Sequence, residues 1–102
     1  QLDDLFAEIL TRRGASPDES YSAQLLADLP RATRKLGEEA IETITAALTE
    51  DDDALIGEAA DVLYHLLVVL AAREVTLDAV MDQLVARRGR SGLAEKAARG
   101  KE

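Results

Sequence analysis

Cysteine is absent from the 102 residues, which excludes a disulfide framework, a thiolate zinc site and thiol catalysis. The one histidine, His65, excludes a metal centre built on imidazoles. Aromatic residues are limited to Phe6, Tyr21 and Tyr64, and no stretch alternates apolar with polar residues over the length of a strand. Cations are scarce beside anions. The net charge of −8 makes the chain as a whole repel nucleic acid and anionic membranes. The longest apolar run, Val62 to Ala72 broken only by His65, is too short to span a bilayer. No signal peptide is visible. The expectation is a soluble cytoplasmic protein of one domain over residues 1–102, with no nucleic-acid and no membrane partner. The chain opens at Gln1 and its only methionine is Met81, so the native N-terminus is expected upstream.

What remains reads as helices alone. Leu2 to Arg13 carries Leu2, Leu5, Phe6, Ile9 and Leu10 at helical spacing and stops at Gly14. A loop with Pro17 precedes a short helix from Tyr21 to Leu29, and Pro30 suits the first turn of a long helix over Arg31 to Thr49. The aspartates of Glu50-Asp51-Asp52-Asp53 suit the cap and positive end of a fourth helix, from about Asp53 to Arg73. Thr76 reads as the N-cap of a last helix, Leu77 to Arg88, where Arg87 and Arg88 favour the C-terminal end. The tail after Gly89 is small and charged, with order expected on binding.

Two acidic clusters stand on the long helices, Glu38-Glu39-x-x-Glu42 and Glu58-x-x-Asp61. The spacing of three in Glu39/Glu42 and Glu58/Asp61 places each pair on one side of its helix. On the third helix the acids oppose Leu36, Ala40, Ile41, Ile44, Ala47 and Leu48, which by itself describes an amphipathic helix with a solvated face. The fourth helix differs. Its apolar residues, Leu55, Ile56, Ala59, Leu63, Leu66, Leu67 and Leu70 among them, cover nearly the whole circumference, the mark of a buried helix. Glu58 and Asp61 are then expected in or beside packed surroundings, where unpaired carboxylates are costly or protonate. Arg34 and Lys35 are too few cations for five acids, so a shared hard divalent cation is the better counterion. Two helices of one chain cannot cover a helix apolar on all sides. A homodimer with a four-helix core from two hairpins is expected, a tetramer remaining open.

Lys35-Leu36-Gly37-Glu38-Glu39-Ala40-x-Glu42, followed by Glu58-x-x-Asp61 with Val62-Leu63-Tyr64-His65-Leu66-Leu67, resembles the all-α nucleoside triphosphate pyrophosphohydrolase (MazG-like) superfamily, whose signature is E-x-x-E, a gap, then E-x-x-D. Within it, that wording is most similar to the phosphoribosyl-ATP pyrophosphohydrolases of histidine biosynthesis. Ser20-Tyr21 with Leu25-Leu26, and the tail Arg90-Ser91-Gly92-Leu93-Ala94-Glu95-Lys96, point to the same branch. Leu36 stands where valine is common in the family, a neutral exchange. The resemblance implies an all-α fold of MazG-like type and Mg²⁺-dependent hydrolysis of 1-(5-phosphoribosyl)-ATP, with Mn²⁺ as a possible substitute. It implies Glu39, Glu42, Glu58 and Asp61 as metal ligands. Glu38 is either a carboxylate outside the metal's own ligands or the base for the attacking water. Lys35, and Arg34 beside it, would neutralise phosphate charge.

Other residues carry two readings each. His65 shares the face of Glu58 and Asp61 and is either a core residue or a substrate contact. Tyr21 either stacks on the adenine or packs in the core, and Tyr64, on another side of its helix, is read as packing. Lys96, with Arg99, is a candidate for closing over phosphates. Two other functions compete: a house-cleaning hydrolase of dUTP, dCTP or damaged nucleotides with the same metal site, and a non-catalytic helical dimer that has no reason to bind Mg²⁺.

Overall fold

The structure, a computed structural model, describes residues 1–88. The tail residues Arg90, Lys96 and Arg99 lie outside the described residues. Five helices follow one another without strands among the described residues: α1 (Leu2–Leu10), α2 (Tyr21–Leu26), α3 (Leu29–Thr49), α4 (Asp52–Ala72) and α5 (Leu77–Arg87). This is an all-α chain.

Side-chain caps set most of the helix starts. Ser20 Oγ accepts from the Ala23 N–H at 2.9 Å, and Asp28 Oδ1 from the Arg31 N–H at 3.2 Å. Asp51 Oδ1 accepts from the Ala54 N–H at 2.9 Å, and Thr76 Oγ1 from the Ala79 N–H at 3.1 Å. Each cap satisfies one of the amide groups left open by the first helical turn. The Asp28 cap corrects one expected boundary, because Leu29 opens α3 instead of closing α2. α1 is also shorter than its apolar spacing suggests. It yields to a turn at Thr11, and the chain reverses through Gly14 at φ +80°, a conformation that glycine adopts without penalty.

α3 and α4 form an antiparallel hairpin that is the largest helix contact, and α1 and α2 lie against α4. The core joins Phe6 and Ile9 of α1, Leu25 of α2, Ala32 of α3, Leu67, Val68 and Ala71 of α4, and Leu77 at the start of α5. α4 has 21 residues and a mean hydropathy of 1.7, long and apolar enough by length and composition to cross a membrane, although its uninterrupted run is short. It carries Glu58 and Asp61 near its middle, however, each costing about 2.5–3.5 kcal/mol in a bilayer centre. Its C-terminal half is core for the other helices.

The expected inner face of α3 is its outer one. Ile41, Ile44 and Leu48 are 65%, 60% and 78% exposed. The side toward the fold instead runs through Ala32, Leu36, Glu39, Thr43 and Ala46, alternating steps of four and three. Alanine at both ends of that line admits close helix approach, and Glu39 is thereby turned inward. A helix with two candidate apolar lines is not resolved by its own amphipathicity; the neighbour decides.

Candidate metal centre

Because α3 and α4 run antiparallel from the turn at Glu50–Asp51, Glu39 on one lies level with the turn of helix holding Glu58 and Asp61 on the other. One carboxylate oxygen from each of Glu39, Glu58 and Asp61 falls within 4.8 Å of the others. That spread matches oxygens on opposite sides of a hard cation at 2.0–2.6 Å. Glu39 Oε2 is buried and has no hydrogen-bond partner among the described residues. A buried acceptor of this kind normally has a donor or an ion. Burial raises the Glu39 pKa above the ordinary carboxylate value, and the neighbouring carboxylates of Glu42 and Asp61 raise it further. Glu58 is raised too, first by desolvation and then by Glu42 and Asp61. The residues present fit a divalent cation: acceptor-only oxygens, mutually repelling, one of them orphaned.

Packing around the acids is looser than a helix apolar on all sides implies. Asp61 is exposed and Glu58 only half-buried. Within one chain they sit on a rim, with α3 covering one side. Glu42, one turn beyond Glu39, is exposed and close enough to repel Glu39 and Glu58, but lies outside the closest three carboxylates.

Glu38 turns toward Lys35, whose Nζ lies 3.3 Å from Glu38 Oε1 across one turn of α3. The hydrogen bond to Glu38 raises the Lys35 pKa, and so does its charge. Lys35 is therefore a cation tied to a carboxylate beside the acidic cluster. Arg34 is exposed and makes no ion pair among the described residues.

Next to the acids, α2 is clipped to α4 by consecutive residues. His65, 6% exposed, donates from Nδ1 to the Asp61 carbonyl oxygen at 2.7 Å. With Nδ1 so engaged, Nε2 pairs with the Tyr21 hydroxyl at 3.3 Å. Ser22 Oγ and the Tyr64 hydroxyl pair alongside. Tyr21 is 41% exposed, with Tyr64 stacked at 6.4 Å and tilted 17°, and the Arg31 guanidinium carbon 6.0 Å from its ring centre. Both nitrogens of His65 are thus engaged within the protein. Tyr64, Ser22 and Arg31 escaped sequence reasoning because their contacts reach across helices, up to 42 residues apart in the chain for Ser22 and Tyr64. Only the adjacency of Tyr64 to His65 hinted at it. Lys96 lies outside the described residues.

Comparison with known proteins places this geometry in a family. The phosphoribosyl-ATP pyrophosphohydrolase family model matches residues 2–88. A phosphoribosyl-ATP pyrophosphatase of Caulobacter sp. (strain K31) is 58% identical over 98 residues, covering 96% of this chain and 92% of the relative. One of Ruegeria pomeroyi is 55% identical over 101 residues, covering 98% and 96%. Another, of Cereibacter sphaeroides, is 56% identical over 100 residues, covering 97% of each. With near-complete coverage on both sides and the acidic residues of both helices gathered at one place, the chain belongs to the phosphoribosyl-ATP pyrophosphohydrolase family.

Proposed function

We propose that this chain hydrolyses 1-(5-phosphoribosyl)-ATP to 1-(5-phosphoribosyl)-AMP and pyrophosphate in histidine biosynthesis, as a cytoplasmic enzyme. The observation that carries the reading is the partnerless buried Oε2 of Glu39 within a group of three carboxylates on the family's paired acidic motif. Glu39, Glu58 and Asp61 would hold Mg²⁺, or Mn²⁺ in its place, with Glu42 as a further ligand from the next turn. The bound ion supplies charge stabilisation at the phosphoryl oxygens and a more acidic water. It also reverses the local field of a protein of net charge −8, which otherwise repels a polyphosphate.

Glu38, held by Lys35 beside the ligands, takes the proton of the attacking water. Lys35 and Arg34 neutralise phosphate charge, and Tyr21 and His65 shape the wall where the nucleotide lies. A second copy of the chain covers Ile41, Ile44 and Leu48 of α3 and Ile56 and Leu63 of α4, apolar side chains that one chain leaves in water.

The test is pyrophosphate release from phosphoribosyl-ATP with and without Mg²⁺, beside dUTP and dCTP. Release from phosphoribosyl-ATP that needs the metal is the expected result. Release from the deoxynucleotides alone would move the chain to the house-cleaning hydrolases. No release and no Mg²⁺ binding would leave a helical dimer without catalysis.

A further inference from the structure

A cavity of about 160 Å³ lies between α1, α2 and α4. Its polar lining is Glu8 of α1, Arg12 of the turn that follows, Ser20, Tyr21 and Ser22 at the start of α2, and Tyr64 of α4. Most of these groups are already spoken for. Ser20 Oγ caps α2, Tyr21 bonds His65, and Ser22 bonds Tyr64. The wall is therefore fixed in place, and its charged side chains are two. Neither the Arg12 guanidinium nor the Glu8 carboxylate has an ion pair among the described residues, although four positions separate them and they share one side of the helical path. A ligand that matches this wall presents an anion to the guanidinium and hydroxyl donors to the carboxylate. A sugar phosphate has both. The volume, below the roughly 300 Å³ of pockets for drug-sized ligands, suits one such group and not a whole nucleotide.

Position supports the same identity. Tyr64 follows Asp61 by three residues, so the cavity begins about one helical turn, roughly 5 Å, from the metal-binding acids along α4. A substrate with its phosphoanhydride at the acids passes its first ribose and base along this stretch, so that only its opposite end extends to the α1 side of the cavity, where Glu8 and Arg12 lie. In phosphoribosyl-ATP that end is the second phosphoribosyl group, which ATP lacks.

We infer that the cavity between α1 and α2 binds the second phosphoribosyl group of the substrate, Arg12 receiving its phosphate and Glu8 its ribose hydroxyls. The inference rests on the proposed activity for the identity of the ligand. It places discrimination against ATP away from the metal, at the exposed side chains of Arg12 and Glu8, which the second phosphoribosyl group meets and ATP does not.

Calorimetric titration of the full chain with phosphoribosyl-AMP and with AMP, both with Mg²⁺, tests it. Wild type binds phosphoribosyl-AMP at least tenfold tighter than AMP. Arg12→Gln removes that preference and leaves AMP binding unchanged, and Glu8→Gln reduces it in part. Arg13→Gln, the same loss of charge one position along, keeps it. Arg12→Lys, which retains the charge without the fork, falls between and keeps the test open if Arg12→Gln folds poorly. Equal affinity of wild type for both ligands, or an Arg12→Gln variant that keeps the preference, overturns the inference. Pyrophosphate release by wild type separates the two ideas. Turnover of phosphoribosyl-ATP without an Arg12-dependent preference removes the subsite and leaves the activity. An Arg12-dependent preference without turnover removes the activity and leaves the subsite.

Discussion

The two halves of α4 differ both in sequence and in what covers them: Asp52 to Asp61 carries the acids Asp52, Asp53, Glu58 and Asp61, and His65 to Ala72 carries none. From His65 onward, His65, Leu67, Val68 and Ala71 are buried under α1, α2 and α3. Before it, none of the ten residues from Asp52 to Asp61 is buried, and Ile56 is 66% exposed. The acids lie where the covered half gives way to the bare one. Asp61 is the last exposed acid before the core, and its carbonyl oxygen accepts from the first buried side chain, His65. A metal site at such a boundary combines a rigid support on one side with open access on the other. Rigid support holds ligands in place, and access lets a polyphosphate in.

The largest effect is expected at the boundary itself. Asp61→Asn removes a proposed metal ligand, so Mn²⁺ titration should show no binding in the range where wild type saturates. Turnover should fall by more than about 100-fold, beyond the loss typical of residues that only support a ligand. On the covered side, Leu67→Ala should cost about 2–5 kcal/mol in urea unfolding, since the void cannot close among Val68, Ala71 and their neighbours. On the bare side, Ile56→Ala in dilute protein should cost less than about 0.5 kcal/mol. Wild-type stability should then rise with protein concentration, as it does for chains that associate on folding, and Ile44→Lys should abolish that rise. Concentration-independent stability of wild type, with a monomer in light scattering, would show that the bare half needs no second copy.

Glu38→Gln should retain the metal, because Glu38 pairs with Lys35 outside the closest group of acids, and lose about 100–10,000-fold in kcat as the water's base is removed. If it loses Mn²⁺ as fully as Asp61→Asn does, Glu38 is a ligand. The smallest effect concerns charge in the metal-free protein. The folded pKa of Glu39 is raised, so the folded state holds its proton more tightly than the unfolded chain. Stability is then greatest at low pH and falls as pH rises from the ordinary carboxylate value through the folded pKa. Glu39→Gln should flatten that descent and raise the metal-free melting temperature at neutral pH. A thermal melt series in chelator checks it, and a lower melting temperature would contradict mutual repulsion among the acids.

The helices, their order and two of the four side-chain caps were written in local sequence. Asp51 and Thr76 cap as their positions relative to the apolar periods require, because capping involves only the next three residues. The pairing of acids within each helix was equally local, and the paired motif carried the family resemblance. The inward face of α3 was not. Its Ile41–Ile44–Leu48 line is the more apolar one, yet the line with Glu39 meets α4, since alanines at 32 and 46 admit a close neighbour. Nor did sequence show the pairing of Glu38 with Lys35, where several partners lay within one turn. The clip of Tyr21 and Ser22 onto His65 and Tyr64, and the cavity it walls beside Arg12, depend on where α2 lands on α4. Sequence by itself determined the helices and which acids share a side of each, because residues three or four apart on a helix are bound to be neighbours. Which face meets which, and which polar groups are left without a partner, was decided by tertiary packing, because burial is a property of the assembled helices and not of any one of them.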